Sequence, residues 1–574
     1  MRHLAVLAQG CGLAAECVDA GGLDPVLAAL VQAQDGVVLD VASLAARLAP
    51  DQLELLATQI ENRSLPVLLL ASAAVPASAF LTRLTGGGVR GVEPHPAGGP
   101  VGFPANASLL ASELAGQTYP RAGGGALKLV LGPAAGVEVL MTLGGAPALV
   151  KTRAGKADVF VWCADKVFDM RRLLPVEREF EEAADQYVPA IIFLRLAGGG
   201  RCWQNPEPLA GLVIDDPLLK NHYGFINFRQ LLASARRHQY HVTLAFIPWN
   251  YWRGRAAQAR MFLDYADCFS VCVHGCDHTR REFGSADYAD LLARNFTAAR
   301  RMARLRTRTG VASEPVMVCP QELYSLEAMR AFADSRQFLA LTCSACLPRD
   351  LPAPALCGAD LLLPAQDSFY GVPVFKRHYA GSLAAFAMAL FLGKPAILVE
   401  HHEFFRPGPG GVEAFAAQLA QLRPGIQWAS VAEIARRTHW RRRLADGRQE
   451  VRFFTDDFKL AHRDQTVAGY RLVRRLPAAP PVSGVRVDGA NVPFAHADGW
   501  LSFEVPAREP RTFEIKLEIP AVQPARARAR GPAYHVAVAL RRGLSEFRDN
   551  VIARNDFLLR SAKALARILK QTSL

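Results

Sequence analysis

The stretch Gly211-Leu212-Val213-Ile214-Asp215-Asp216-Pro217 decides the fold, because a short apolar run ends there in two adjacent carboxylates and a proline. An apolar run that stops so abruptly is typical of a buried strand. Such a strand would present the Asp215 and Asp216 side chains at its carboxyl end.

A second stretch downstream has the same design, with an apolar run that ends in ligand-type side chains. It reads Ser270-Val271-Cys272-Val273-His274-Gly275-Cys276-Asp277-His278, and it supplies His274 and His278. One carboxylate and two imidazoles, with a position left for water, suit a catalytic zinc or a similar divalent ion. The two stretches together therefore predict a metal site.

An Asp-Asp pair at one strand end, followed by His-x-x-x-His at a later one, resembles the metal-dependent polysaccharide deacetylases. The resemblance spans residues 209–438 and implies a distorted β/α barrel, often of seven strands. By position it implies that Asp215 is the catalytic base and that Asp216, His274 and His278 hold the metal, with zinc as the expected ion. The implied reaction is hydrolysis of an N-acetyl group on an amino sugar of a glycan or polysaccharide.

The apolar run at 396–399 is followed by Glu400-His401-His402, and the family often ends its last motif strand with a histidine that acts as general acid. The resemblance assigns this role to His401. His402 stays open as the alternative, because side chains alternate along a strand and only one of the two points inward.

Two other family motifs differ here. The strand at 315–320 ends in Gln321-Glu322, where the family usually has an arginine that supports the base. The later Asp-Trp pair is also missing, and Gln366-Asp367-Ser368 occupies its region, which makes Asp367 a candidate to face the site.

The remainder of the chain predicts further domains around the barrel. We expect an open α/β domain over 1–200, with Met1 to Ala15 containing its first strand, and the barrel over 205–445. Short strands separated by turn residues predict a small β-sandwich-like domain over 446–522. A basic linker and an amphipathic helix are expected over 523–574.

The C-terminal segment carries much of the formal net charge of +13. From Arg526 to Leu574 there are 11 basic and 3 acidic side chains, a net charge of +8. Apolar residues recur there at near-helical spacing: Leu544, Phe547, Val551, Leu558, Leu565 and Leu569. The pattern predicts a helix that either docks on its own protein or attaches to an anionic membrane surface. No nucleic-acid module is recognisable, and basic charge alone does not make one.

Eleven scattered cysteines, an odd number in a long chain, favour reduced thiols and hence a cytoplasmic location. No run approaches the roughly 18 apolar residues of a membrane helix. Two alternatives to the deacetylase stay open: a glycoside hydrolase that uses paired carboxylates on the same barrel, and a catalytically degenerate glycan-binding or scaffold protein. The two adjacent carboxylates also have a purely structural interpretation, in which Asp215 caps the next helix while Asp216 faces solvent.

Overall fold

The computed structural model describes residues 1–18, 21–72, 78–96, 98–107, 109–133, 136–348, 356–476, 482–525, 530–555 and 557–558. The chain forms two compact units. The first comprises Met1–Gln204, Ala353–Leu363 and Trp440–Glu450, and the second comprises Asn205–Pro352, Pro364–His439 and Val451–Leu574.

The first unit is an α/β structure around a mixed seven-stranded sheet. The strands of the region 37–174 are β1 (Val37–Asp40), β2 (Val67–Ala71), β3 (Val89–His95), β4 (Val101–Gly102), β5 (Thr118–Tyr119), β6 (Ala126–Leu131), β7 (Glu138–Leu143), β8 (Ala146–Ala154), β9 (Ala157–Cys163) and β10 (Leu173–Leu174). Strands β3 and β6 pair with each other outside the seven-stranded sheet, and β10 does not belong to it either. The sheet order is β1-β2-β9-β8-β7-β4-β5, with β1, β2 and β9 parallel and the other neighbours antiparallel. The helices are α1 (Arg2–Gly10), α2 (Leu23–Gln32), α3 (Val41–Arg47), α4 (Pro50–Glu61), α5 (Ala79–Leu84), α6 (Arg178–Glu181) and α7 (Val188–Gly198).

The predicted first strand is wrong, because the chain begins with helix α1. Its buried residues are Leu4, Leu7 and Ala8. Their spacing of three and one places them on one face of a helix, whereas a strand would bury every second residue. The apolar patch is therefore one stripe of an amphipathic helix.

The second unit contains the barrel. The strands of this part of the chain are β11 (Leu209–Asp215), β12 (His222–Tyr223), β13 (Ile226–Asn227), β14 (Val242–Phe246), β15 (Phe269–His274), β16 (Val316–Val318), β17 (Ala340–Cys343), β18 (Leu356–Cys357), β19 (Val374–His378), β20 (Ala396–Glu400) and β21 (Gln427–Trp428). Of these, β18 lies in the stretch Ala353–Leu363 that belongs to the first unit. Seven of them form a closed parallel barrel in the order β14-β15-β16-β17-β19-β20-β11, and β11 pairs with β14 to close it. This confirms the predicted deacetylase-like distorted β/α barrel.

All residues of β11 and β20 are buried, which explains why both read as unbroken apolar runs. The helices of this part of the chain are α8 (Phe228–His238), α9 (Ala256–Asp264), α10 (Tyr288–Thr309), α11 (Leu326–Ser335), α12 (Gly358–Leu362), α13 (Leu383–Phe391), α14 (Gly410–Leu422) and α15 (Val431–Arg437). Because the barrel strands are parallel, their carboxyl ends share one face, where barrel enzymes carry their active sites.

A β-sandwich follows the barrel in the chain, where a small β-sandwich-like domain over 446–522 is expected. Its strands are β22 (His439–Arg443), β23 (Gln449–Phe453), β24 (Asp457–His462), β25 (Gly469–Arg475), β26 (Gly484–Val487), β27 (Ala490–Asn491), β28 (Ala495–Ala497), β29 (Trp500–Pro506) and β30 (Arg511–Glu518). They form sheets in the orders β22-β23-β25-β29-β28 and β24-β30-β26-β27 around one apolar core.

The described part of the C-terminus forms helix α16 (Pro532–Phe547), which continues into one π-helical turn, Arg548–Ile552. Among the described residues, no helix is both long enough and apolar enough to cross a bilayer. The predicted residues Leu565 and Leu569 lie outside the described residues.

Candidate metal centre and active site

The three predicted metal ligands converge at the carboxyl ends of β11 and β15. Asp216 Oδ1 lies 3.6 Å from His274 Nε2 and 3.3 Å from His278 Nε2. Donor atoms of the three residues all lie within 4.8 Å of one another. Four ligands placed tetrahedrally at about 2.0–2.2 Å from zinc are separated from each other by about 3.4 Å, so the observed spacing fits such an ion.

The chemistry of these donors also fits a cation. Within the described part of the chain, Asp216 Oδ1 is buried and accepts no hydrogen bond. A carboxylate oxygen removed from water without a donor is costly unless a cation compensates it. Burial lowers the pKa of His278 below its usual value, so its ring is neutral at neutral pH, as a ligand must be. The residues present therefore fit a divalent ion.

A backbone carbonyl orients the first imidazole. His274 Nδ1 lies 3.1 Å from the carbonyl oxygen of Val318, at the end of the neighbouring strand β16. A carbonyl only accepts hydrogen bonds, so Nδ1 carries the proton and Nε2 offers its lone pair toward Asp216. Such a partner behind a histidine ligand fixes both its tautomer and its ring orientation.

The loop that presents His278 is held by Glu282, which the sequence did not single out. The Glu282 carboxylate accepts hydrogen bonds from the backbone amides of Cys276 (3.1 Å), Asp277 (2.7 Å) and His278 (3.0 Å). Gly275 makes this possible, because a Cβ there would lie 2.5 Å from Glu282 Oε2. Its φ of +66° also favours glycine.

The same loop brings Cys276, Asp277 and Glu282 together as a second group of potential ligands. Their carboxylates already have partners of other kinds. Glu282 holds the three amides and Arg294, and Asp277 pairs with Arg301. This group therefore serves to shape the loop that carries His278.

The carboxylate of Asp215 is clamped by Arg377 on β19, which is separated from β11 by the single strand β20. Arg377 Nη1 donates to Asp215 Oδ1 at 2.9 Å, and Nη2 donates to Oδ2 at 2.8 Å. Arg377 also pairs with Glu322. The expected arginine after the strand at 315–320 is thus replaced by Glu322 there, with the guanidinium supplied by β19. The available signal was the run Lys376-Arg377-His378, which ends a strand that begins with two buried apolar residues.

Burial alone would raise the pKa of Asp215, but the attraction of Arg377, followed by those of His274 and His401, outweighs it. The pKa of this carboxyl therefore lies well below its usual range. Asp215 is held ionised and in a fixed orientation beside the metal ligands, and its bidentate pairing excludes the alternative in which it only caps a helix.

We expect Arg377→Met to reduce the free energy of unfolding by about 3–5 kcal/mol, because Asp215 would stay buried without its partner. Arg260→Met is the matched control, since the Arg260 pair with Asp264 is exposed and such pairs contribute about 0–1 kcal/mol. Denaturant titration measures both variants. Equal, small losses in the two would contradict a structural role for the clamp.

The two adjacent histidines after β20 have different surroundings. The His401 ring lies parallel to Tyr379, with centroids 6.3 Å apart, and its charge acts on Asp215. His402 is buried, with Nε2 at 3.3 Å from Asp549 Oδ1 and its ring edge against Tyr223. Of the two histidines, His401 therefore interacts electrostatically with Asp215, while His402 contacts Asp549 in the helical segment near the C-terminus.

The structure does not bring Asp367 to the metal ligands. Its buried carboxylate lies 3.4 Å from the guanidinium of Arg452 on β23. The contact between Asp367 and Arg452 joins the barrel to the sandwich. Asp367 therefore has a structural role in place of the predicted one at the site.

No protein-family model and no curated protein matches the chain. Solved structures that resemble it include a putative polysaccharide deacetylase from Mycobacterium smegmatis, at 14% identity over 40% of this chain and 90% of that one, with a TM-score of 0.27. A family 4 carbohydrate esterase from Streptomyces lividans in complex with acetate matches at 14% identity over 39% and 93%, with a TM-score of 0.25. A pseudoenzyme of the same carbohydrate esterase family from Bacillus anthracis matches at 13% over 40% and 66%, also at 0.25. At these identities the likeness is one of fold.

Proposed function

We propose that this chain is a metal-dependent hydrolase that removes N-acetyl groups from an amino-sugar glycan. The observation that carries the proposal is the convergence of Asp216, His274 and His278 beside an ionised carboxylate at the carboxyl end of the barrel. These three residues would hold the ion, and the one-carboxylate, two-imidazole set favours zinc.

A divalent ion held there would act as a Lewis acid on the acetyl carbonyl and lower the pKa of the attacking water. Asp215 takes the proton of this water as its oxygen adds to the carbonyl carbon, while Arg377 keeps the carboxylate oriented. His401 protonates the nitrogen as the carbon–nitrogen bond breaks. The products are acetate and a free amine.

The proposal is tested by incubating the purified protein with soluble N-acetylglucosamine oligomers and measuring acetate and reducing ends separately. Acetate without new reducing ends supports the deacetylase. New reducing ends without acetate would identify a glycoside hydrolase, and binding of the oligomers with neither product would identify a glycan-binding protein.

We expect about one divalent ion per purified chain, since, of the two ligand groups found among the described residues, only Asp216, His274 and His278 have no carboxylate paired with an arginine. His274→Ala and His278→Ala should each lower the metal content to background, as measured by elemental mass spectrometry. His496→Ala is the matched control, because His496 is an exposed histidine on β28. Full metal content in the first two variants would place the ion elsewhere.

A further inference from the structure

The C-terminal segment, defined here as Pro532–Asn555, crosses the carboxyl-end face of the barrel. Its first turn contacts the loops after β15 and β14. The Tyr534 hydroxyl donates to Asp277 Oδ2 at 2.6 Å, and the His535 ring stacks on Trp249 with centroids 5.6 Å apart.

The other end of the segment contacts the loops after β11, β14 and β20. Glu546 pairs with both Lys220 and Arg253. Asp549 accepts a hydrogen bond from the Tyr223 hydroxyl at 2.8 Å and lies 3.3 Å from His402 Nε2.

The four strands that these loops follow are consecutive neighbours in the barrel, in the order β15-β14-β11-β20. The segment therefore covers the half of the rim that carries Asp216, His274 and His278. Between its two ends, Arg542 is buried and interacts electrostatically with Asp216. The polar face of the segment therefore packs against the candidate active site.

The apolar face of the same segment points to solvent. Its large residues recur at intervals of four, four, three and four positions, and their exposed fractions lie between 42% and 67%. We call this set the outer stripe; it consists of Val536, Leu540, Leu544, Phe547 and Val551. A docked amphipathic helix normally buries such a stripe. Here the polar face is docked and the apolar stripe is exposed. A contiguous exposed apolar patch marks an interaction surface.

The charges beside the outer stripe indicate its partner. Arg541 and Arg548 lie in the same helical segment, and the Arg548 side chain is largely exposed. Trp252, on the loop that Arg253 ties to Glu546, is exposed too. Basic residues in a helix that exposes an apolar stripe match an anionic lipid interface, and an exposed indole on an adjoining loop suits the same surface.

The same charges disfavour the other occupants. A second copy placed on the outer stripe would bring the basic residues of both chains together, against a formal net charge of +13 on each. The segment 559–574, outside the described residues, carries Arg560, Lys563, Arg567 and Lys570 and no acidic residue. Packing it on the stripe would again juxtapose like charges, whereas facing a bilayer would add to the attraction.

We propose that the outer stripe binds the surface of an anionic lipid bilayer and thereby holds the rim of the barrel against glycans carried on lipid anchors. The lipid-binding part stands on the outer stripe and its flanking charges, and the substrate class rests on the function proposed above. The contacts of the segment in the described part of the chain go to the loops after β11, β14, β15 and β20. The remaining part of the rim, with Tyr379 and His401 beside it, is the side that we assign to the sugar.

The test is co-sedimentation of the full-length chain with vesicles of phosphatidylcholine plus phosphatidylglycerol, compared with phosphatidylcholine alone. We expect binding to the anionic vesicles that Leu540→Asp/Leu544→Asp weakens at least about tenfold, since binding scales with the apolar area buried. Arg541→Gln should weaken it about fivefold, because a basic residue near such a surface contributes about 1 kcal/mol.

Leu55→Asp/Leu263→Asp is the matched control, because these are exposed leucines on α4 and α9 and the change in charge is identical. It should bind as the unmodified chain does. No binding to anionic vesicles, or equal binding of the outer-stripe variant and the control, would overturn the proposal. Light scattering that shows a dimer dissociated by Leu540→Asp/Leu544→Asp, without vesicle binding, would assign the stripe to a second copy and overturn it too.

The proposal that the substrate is a lipid-anchored glycan is tested separately. Acetate release is compared between lipid-anchored N-acetylglucosamine oligomers in the same vesicles and the soluble oligomers. We expect the outer-stripe variant to lose activity on the anchored form only. Activity on soluble oligomers without any vesicle binding would refute the membrane surface and leave the deacetylase standing. Vesicle binding without acetate from either substrate would refute the deacetylase and leave the surface standing.

Discussion

Asp215→Asn should lower the rate of deacetylation by about 10²–10⁴-fold, the contribution of a general base, while the metal content stays unchanged. The amide has nearly the shape of the carboxylate but accepts no proton from the attacking water. Asp215 lies beside the ligand group and is clamped by Arg377, so the substitution leaves Asp216, His274 and His278 in place.

Asp216→Asn is the matched control for this experiment, since it makes the same chemical change one residue away. It should lose the metal as well as the activity, because Asp216 Oδ1 faces both imidazoles. Metal analysis and acetate release on both variants separate the roles. If Asp215→Asn loses the ion and Asp216→Asn keeps it, then Asp215 is the metal ligand and Asp216 is the base, the opposite of the assignment made above.

His401→Ala should lower deacetylation by about 10²–10⁴-fold with metal content and glycan binding retained, because the departing amine then lacks its proton donor. His401 follows β20, and its charge acts on Asp215. A histidine titrates in the range that such a transfer requires. Acetate release at saturating substrate, with binding measured separately by calorimetry, gives the effect on the chemical step.

His402→Ala provides the comparison within the same loop. His402 contacts Asp549, so its loss should loosen the C-terminal segment and leave most of the turnover. The opposite behaviour of the two variants would show that the assignment of the acid is off by one residue. An unchanged rate in both would mean that another group protonates the amine.

The strand ends were predictable from the sequence because their signal is local. An apolar run followed by Asp215-Asp216, and another followed by His274, identifies two buried strands and the polar groups at their ends without knowledge of the remaining chain. Parallel strands share one face at their carboxyl ends, so convergence of these groups follows from the predicted barrel.

The clamp on Asp215 was decided by tertiary structure. The resemblance to the deacetylases implies an arginine after the strand at 315–320, but the guanidinium comes from Arg377 on β19, and Glu322 occupies the expected region. Which of two barrel strands supplies a buried cation depends on register and side-chain reach across the barrel. The sequence of one strand specifies neither its register against its neighbours nor the reach of its side chains.

The orientation of the C-terminal helix α16 shows most clearly what the sequence determined and what the tertiary structure decided. The sequence by itself determined that a basic, amphipathic helix would form, because helical spacing of apolar residues is a property of the segment alone. Only the tertiary structure decided which face docks. Ion pairs of Glu546 and hydrogen bonds of Asp549 and Tyr534 need partners from three separate loops of the barrel rim. Those partners exist only once the barrel has closed, so the apolar face was left outside.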